Sequence, residues 1–492
     1  MGIKHVLSIS DFSADEIFGE ILTRCEEKVT FVERRIPREP DPTKKVQLLF
    51  LEPSTRTRGS NVEAAQLLGY RTDEVIGKEA SSFIKKETFA NTARMFAKYN
   101  AGIIIARAGV EGAQKFMAEL LEREGYHCAV HNAGDRTNQH PTQTILDLLT
   151  LKRHLGRVDD FTIGFFGDLK YGRTVHSLLC ALSYQESVKV KVVQTSETAL
   201  QAQYIEMFPG RIETVDSLEG LEGCDVAYGS RLQEERFKID QLTLDNLRKK
   251  LMITPAMMKI LGSVLFMHPM PYVQEFPFQV RSDKRIIIDD QAWCGVPVRV
   301  ALQEMSFENL GMTNFFPYSP EENLSVIENC SLKNYRKSRQ GREKKFGVYF
   351  NPIDNGTVID KIPAELGLKV KSFLLSSDQL KNSAPIHHID RIFETSLEGG
   401  KEVLILRDNF VSEETKMLVT SWAPTITFNE IREDRFLKIR AKKLVEVQGF
   451  GRCPNKNCIT NNDPEAATKF VHVGDALRCW YCEKKFERSQ IV

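Results

Sequence analysis

The sequence predicts an α/β protein: two doubly wound parallel-sheet domains, followed by a small α+β domain and a small β domain tied together by cysteines. Three observations carry that expectation. Apolar runs of strand length alternate with helix-spaced stretches up to about residue 310. From about 311 to 352 Pro and Asn become frequent and a strongly basic run, YRKSRQGREKK at 335–345, appears. The end of the chain then gathers Cys453, Cys458, Cys479 and Cys482.

The elements follow in order. Residues 46–51, 103–106, 128–131, 161–166, 188–193, 225–228 and 264–267 are apolar runs of strand length. Residues 61–68, 143–155 and 174–182 have helical spacing between them, and Val298, Leu302 and Met305 predict a closing helix after Trp293. Two sheet units joined near 140–155 account for this alternation. Later, 357–362, 387–393 and 403–407 read as strands of the smaller domain. The expected division is 1–140, 141–312 with its closing helix, a linker at 313–350, then 351–442 and 443–492. The basic run in the linker could bind nucleic acid. A solvated connection is favoured, because the run is short and holds one aromatic.

Bulk composition narrows the function. The 492 residues suggest about two to four domains. Basic and acidic residues balance at 67 to 66, so no net field pulls the chain toward nucleic acid or a membrane. No apolar run approaches the ~20 residues of a membrane span. The start, MGIKHVLSISDFSADEI, lacks the basic-then-apolar form of a secretion signal, and a cytoplasmic protein is expected. Cys25, Cys128, Cys180, Cys224, Cys294 and Cys330 are scattered and read as reduced thiols.

The chemistry sits where strands end. PSTRTRG at 53–59 places Ser54, Thr55, Arg56 and Thr57 between an apolar run and a helical one. A helix N-terminus offers unpaired N–H groups and partial positive charge, and arginine adds a bidentate cation, so the corner suits phosphate. An ordinary capped helix with two surface arginines is the plainer alternative. His140, just before Pro141 in NQHPTQT, stands at a helix start, either as a cap or as a donor to a developing oxyanion. In GDLKYGRT, Arg173 opens a helix and could hold a carboxylate or pair on the surface. SRLQEER with Arg231 follows the run at 225–228, and HPMP with Pro269, Met270 and Pro271 follows the run at 264–267. SSFIKKET, 81–88, reads on its own as a solvated loop. Four arginines at strand ends, Arg56, Arg107, Arg173 and Arg231, suit a substrate set bearing phosphate and several carboxylates.

In the tail, Cys453-x4-Cys458 and Cys479-x2-Cys482 have the spacing of a four-thiolate zinc site. Four thiolates leave no position open for water, so the zinc would be structural.

Together STRTR, NAGD-x-x-NQHPTQT, GDLKYGRTVHSL, R-x-Q-x-ER and HP-x-P resemble aspartate carbamoyltransferase over about residues 1–310. GTVIDKIP, CPNKNC and CWYC resemble the regulatory chain of that family, here fused behind the catalytic part. The resemblance implies a transcarbamylase fold and transfer of the carbamoyl group of carbamoyl phosphate to L-aspartate, with no catalytic cofactor. It implies that Ser54, Thr55, Arg56 and Thr57 hold phosphate, and that Arg107, Thr57 and His140 polarise the carbonyl. Gln143 and the backbone of Pro269 and Met270, in the motif closed by Pro271, would accept from the carbamoyl NH2. Arg173, Thr174, Arg231 and Gln233 would bind aspartate. Ser81 and Lys85 would reach into the site of an adjacent subunit, in a homo-oligomer built on trimers. Lys86 stands where the family has glycine, which bears on that loop's backbone.

The resemblance also implies nucleotide effectors, with Asp360, Lys361 and Asn429 in the effector region. Lys361 stands where histidine is common and Ile405 where lysine is common, so a weakened or altered response to ATP and CTP is expected. The rival is an ornithine transcarbamylase, which shares the phosphate motif but carries HCLP and a Ser-Met-Gly loop where this chain has HPMP and SRLQ. A scaffold that kept the fold and lost the chemistry is disfavoured, because the matched polar positions are filled.

Overall fold

The computed structural model describes residues 2–79, 81–237, 239–315, 324–339, 353–376, 386–392, 400–441, 446–449, 451–474, 476–487 and 490–491. They form two compact units, Met1–Phe316 with Asn457–Glu465, and Pro317–Lys456 with Ala466–Val492.

The first unit opens with α1 (Leu22–Arg34), β1 (Asp41–Phe50), α2 (Thr55–Leu67), β2 (Tyr70–Ile76), α3 (Phe89–Lys98), β3 (Ile103–Ala108), α4 (Ala113–Arg123) and β4 (Ala129–Asp135). The strands pair in the order β2-β1-β3-β4, all parallel. β1 is buried from Lys45 to Phe50, as a central strand covered on both faces must be. β2, YRTDEVI, escaped the sequence reading: it is an edge strand, mostly half-buried or exposed, so it carries no apolar run.

α5 (Pro141–Leu155) leads into the second sheet. Pro141 starts it and Gly156, at φ 74°, ends it. Then come β5 (Thr162–Gly167), α6 (Arg173–Ser183), β6 (Lys189–Val193), α7 (Ala202–Ile205), β7 (Ile212–Val215), β8 (Val226–Ser230), α8 (Gln241–Lys250), α9 (Pro255–Ile260) and β9 (Leu265–Met267). Their order is β7-β6-β5-β8-β9, again all parallel. α10 (Ile288–Trp293) and α11 (Gly295–Glu308) complete this part. The closing helix does not stay with the second sheet: α11 packs against α1, α2 and α5. Residues 457–465 pack with this unit through the Arg94–Glu465 pair, at 2.6 Å, and the Glu111 N–H bonded to the Asn457 carbonyl.

The second unit contains β10 (Leu324–Ser331), α12 (Leu332–Arg339), β11 (Gly356–Pro363), α13 (Gly367–Ser376), β12 (His387–Ile392), β13 (Lys401–Arg407), α14 (Glu413–Trp422), β14 (Thr427–Arg432) and β15 (Arg435–Ala441). They make an antiparallel sheet ordered β10-β15-β14-β11-β13-β12. β16 (Glu446–Gln448), β17 (Lys469–Val473), β18 (Ala476–Cys479) and β19 (Lys485–Phe486) make a second antiparallel sheet.

The expected linker needs a correction. Within 313–350, residues 324–331 pair with β15 and 332–339 form α12. Their polar, basic sequence reads as connection because only one side is covered: Leu332 and Tyr335 turn inward, with Tyr335 stacked on Phe436 at 3.6 Å between centroids. Residues 340–350, with the rest of the basic run, and Phe393 of the expected strand 387–393 lie outside the described residues.

Candidate active site

The strand ends of the first unit converge on one cavity of about 610 Å3. From β1 and α2 come Ser54, Thr55, Arg56 and Thr57. β3 supplies Arg107, and the start of α5 supplies His140 and Gln143. Arg173 and Thr174 open α6, Arg231 and Gln233 follow β8, and Pro269, Met270 and Pro271 follow β9. Ligand crevices in open parallel sheets form at such carboxyl ends.

Each corner has a local cause. Ser54 occupies the N-cap of α2 in extended conformation, yet its side chain makes no cap hydrogen bond. Its hydroxyl and the first N–H groups of α2 are therefore open to an anion. The loop after β4 is wound around Asp135, which accepts from Gly112 N (2.9 Å), Gln139 N (2.7 Å) and Asn138 Nδ2 (2.9 Å). Gly134, at φ 114°, lets two cations close in: a Cβ there would lie 3.0 Å from Arg173 Cζ and 3.2 Å from Arg107 Nη1. Arg107 Nη1 donates to the Ala133 carbonyl (3.1 Å) and Arg173 Nη1 to the Arg136 carbonyl (2.7 Å). Glu52 is their shared anion, 3.9 Å from Arg107 and 3.7 Å from Arg173.

The field is strongly positive. Burial, with Arg173 and Arg56 nearby, pushes Arg107 down to about 9. Burial, then the charges of Arg173, Arg107 and Arg299, hold the His140 imidazole neutral, well below its ordinary range. Its Nε2 lies 3.5 Å from Thr57 Oγ1. An anion entering here relieves this repulsion, so the site is preorganised for phosphate or carboxylate.

Beneath the crevice Asp147 binds three donors: Gln143 Nε2 (2.9 Å), Gln291 Nε2 (2.7 Å) and the Tyr228 hydroxyl (2.9 Å). This leaves the Gln143 carbonyl oxygen facing the cavity as an acceptor. Gln291 Oε1 accepts from His268 N (2.7 Å), and His268 Nδ1 accepts from Met270 N (2.9 Å). Met270 has φ 55° and the Met270–Pro271 peptide is cis. Glu52, Arg136, Arg236, His268, Gln291 and Arg299 also line the cavity and were not singled out from the sequence. For Arg236 and His268 a signal existed, since they lie inside SRLQEER and HPMP. Arg299 had none, being one cation in an apolar helix.

Two expected residues are not brought to this cavity. Ser81 donates to the Lys78 carbonyl (2.8 Å) and Lys85 is exposed. Lys86 takes φ 64°, the left-handed conformation that favours glycine.

In the second unit Asp360 pairs with Lys401 at 2.6 Å and accepts from Lys361 N at 2.8 Å. Asn429 is buried opposite Val358. The sulfurs of Cys453, Cys458, Cys479 and Cys482 are all buried and lie within 4.8 Å of one another. Tetrahedral zinc at ~2.3 Å from each sulfur requires sulfurs about 3.8 Å apart. Cys453 Sγ and Cys482 Sγ are 3.7 Å apart, so the set fits a structural zinc.

Comparison with known proteins matches the chain in four consecutive stretches. Residues 4–153 match the aspartate/ornithine carbamoyltransferase carbamoyl-P binding domain, and 159–305 match the Asp/Orn binding domain. Residues 348–445 match the allosteric domain of the aspartate carbamoyltransferase regulatory chain, and 445–492 its metal binding domain. The aspartate carbamoyltransferase catalytic subunit of Archaeoglobus fulgidus is 37% identical over 309 residues, 61% of this chain and 98% of that protein. Among solved structures, the catalytic subunit of M. jannaschii aspartate transcarbamoylase has TM-score 0.58 and 35% identity, covering 62% of this chain and 99% of that one. The Trypanosoma cruzi enzyme in complex with carbamoyl phosphate and aspartate has TM-score 0.55 and 28% identity, covering 62% and 95%.

Proposed function

The chain belongs to the aspartate carbamoyltransferase family, and we propose how its crevice divides the work of that reaction. The enzyme moves the carbamoyl group from carbamoyl phosphate to the amine of L-aspartate, giving N-carbamoyl-L-aspartate and phosphate, a step of pyrimidine biosynthesis. The regulatory chain of the family is fused behind the catalytic part, with a structural zinc on Cys453, Cys458, Cys479 and Cys482.

The proposal rests above all on the open N-terminus of α2, with Ser54, Thr55, Arg56 and Thr57 facing the same cavity as Arg173 and Arg231. Ser54 to Thr57 hold the phosphate, and Arg107, Thr57 and His140 draw charge onto the carbamoyl oxygen. The Gln143 amide oxygen and the carbonyls of Pro269 and Met270 accept from the carbamoyl NH2, in the loop after β9 that Pro271 closes. Arg173, Thr174, Arg231 and Gln233 hold the two aspartate carboxylates. The neutral amine attacks the carbamoyl carbon and the C=O π pair moves onto the oxygen. As that pair returns, phosphate leaves with the electron pair of the broken C–O bond and takes up the proton that the amine releases. Positioning and a preorganised positive field carry the rate.

The catalytic part divides into a carbamoyl-phosphate half and an aspartate half, matching residues 4–153 and 159–305. The chain is a cytoplasmic homotrimer or an assembly of trimers. The buried reduced thiols Cys25, Cys128, Cys224 and Cys294 fit that compartment. No described helix is long and apolar enough to cross a membrane.

The test is carbamoylaspartate formation by the purified chain and by Arg56→Ala. Arg56 acts on a leaving group, so kcat should fall by about 100-fold, along with affinity for carbamoyl phosphate. A variant with raised KM and unchanged kcat, or a wild type that carbamoylates ornithine and not aspartate, would overturn the reading.

A further inference from the structure

We infer that Thr142 and Arg299 are positioning residues for His140: together they fix which ring nitrogen carries the hydrogen, and so make His140 a donor to the reacting carbonyl oxygen. The inference rests on the reaction proposed above, and it deepens the role of one residue in it.

Arg299 is an odd feature of α11. It is 3% exposed, and no carboxylate pairs with it among the described residues. A buried guanidinium without a counter-charge is costly, and such a group persists when the fold uses it. Its seat is built for it. Nη1 donates to the Gly295 carbonyl at 2.9 Å, and a Cβ on Gly295 would lie 2.5 Å from Nη1. Gly295 therefore leaves the space that the guanidinium fills.

From there the hydrogen-bond directions follow by elimination. A guanidinium only donates, so Arg299 Nη2, 3.3 Å from Thr142 Oγ1, makes that hydroxyl an acceptor. Among the described residues the hydroxyl's own hydrogen has His140 Nδ1, 3.5 Å away, as its acceptor; an Nδ1–H donating to the oxygen's second lone pair would leave that buried hydrogen unpaired. A second acceptor for an Nδ1–H would be the carbonyl of His140 itself. That oxygen already accepts from Gln143 N (2.9 Å) and Thr144 N (3.3 Å) in the first turn of α5. Nδ1 is thus the acceptor, and a neutral imidazole must carry its one hydrogen on Nε2. Nε2 is the nitrogen that faces Thr57 and the crevice. Both bonds to the ring are long, as catalytic hydrogen bonds often are before substrate binds.

Arg299 adds a second effect. With Arg173 and Arg107, its charge disfavours an imidazolium at His140. The ring is held as a neutral donor, able to share its hydrogen with an oxyanion and unsuited to take the amine's proton at Nε2.

Thr142→Val keeps the side-chain shape and removes the hydroxyl, while Thr142→Ser keeps the hydroxyl. Two measurements on the full chain test the inference. Steady-state kinetics should show kcat reduced about ten-fold or more in Thr142→Val, with the KM for aspartate little changed, and largely restored in Thr142→Ser. Imidazole 15N–1H correlation spectra of histidine-labelled protein, with His140 assigned by its loss in His140→Gln, should show Nε2–H in the wild type and in Thr142→Ser. In Thr142→Val the Nδ1–H form should appear. An Nδ1–H pattern in the wild type overturns the inference even if the valine variant does not fold. So does an unaltered kcat in Thr142→Val, or an equal loss in Thr142→Ser. A wild type that makes no carbamoylaspartate would instead sink the proposed reaction, and the spectra would still report the tautomer.

Discussion

At the scale of single residues, Asp147 carries a titration that can be read from outside. It is buried, with Gln143, Gln291 and Tyr228 donating to its two oxygens. Burial pushes its carboxyl up to about 7, against the hydrogen bonds that favour ionisation. The unfolded value is near 3.8, so between these limits the folded protein holds a proton that the unfolded chain has released. Its contribution to stability is full below the unfolded value and is lost as pH rises through about 7. Asp147→Asn removes that dependence. In urea unfolding, the wild type should lose about 2 kcal/mol relative to the variant between about pH 5.5 and 8, at ~1.4 kcal/mol per pH unit. A difference that stays constant with pH would refute this.

At the scale of elements, the regulatory sheet offers a sharper test than its motif residues do. Val358 pairs with both Ile405 and Asn429, so these three share one face, and Asp360, two residues on, shares it too. Beside Asn429 and Asp360 that face carries an apolar cluster, in which Leu332 and Tyr335 of α12 join Val358, Ile405, Ile431 and Phe436, with Tyr335 stacked on Phe436. With Asp360 tied to Lys401 and Ile405 bringing no charge, few groups remain to meet a triphosphate. Saturating ATP or CTP should shift the half-saturating aspartate concentration by less than about two-fold, the yield of well under 1 kcal/mol of coupling. Strong inhibition by CTP would contradict it. The same element marks how far sequence reading reached. Central strands such as β3 and β5, and the corners that follow them, were legible because burial on both faces forces apolar runs. β2 and β10 were not, since an edge strand needs no such run. α12 was hidden because its inward residues are few. Arg299 and Asp147 were invisible because their meaning lies in partners far away in the chain, Thr142 and Gln291 among them.

At the scale of the whole molecule, the catalytic cavity of one chain lacks two groups that the family resemblance assigns to it from an adjacent copy. Ser81 and Lys85 lie outside the cavity, on a short turn closed by Lys86 in a left-handed conformation. A loop that exposes a lysine and spends the strain of a non-glycine at φ 64° is explained if a neighbouring copy receives it. The proposed trimer makes this a matter of symmetry: each chain lends its loop to the next around a closed ring. Lys85→Ala and His140→Ala should each be nearly inactive alone, because every site then lacks one group. Mixed and reassembled, they should recover activity. A trimer containing both variants has one interface where an intact His140 meets an intact Lys85, so about one site in four is whole at random mixing. Activity near a quarter of wild type, appearing only after dissociation and reassembly, would establish the shared site. Failure to recover, with mixed trimers confirmed by sedimentation, would show that Lys85 does not complete a neighbour's site.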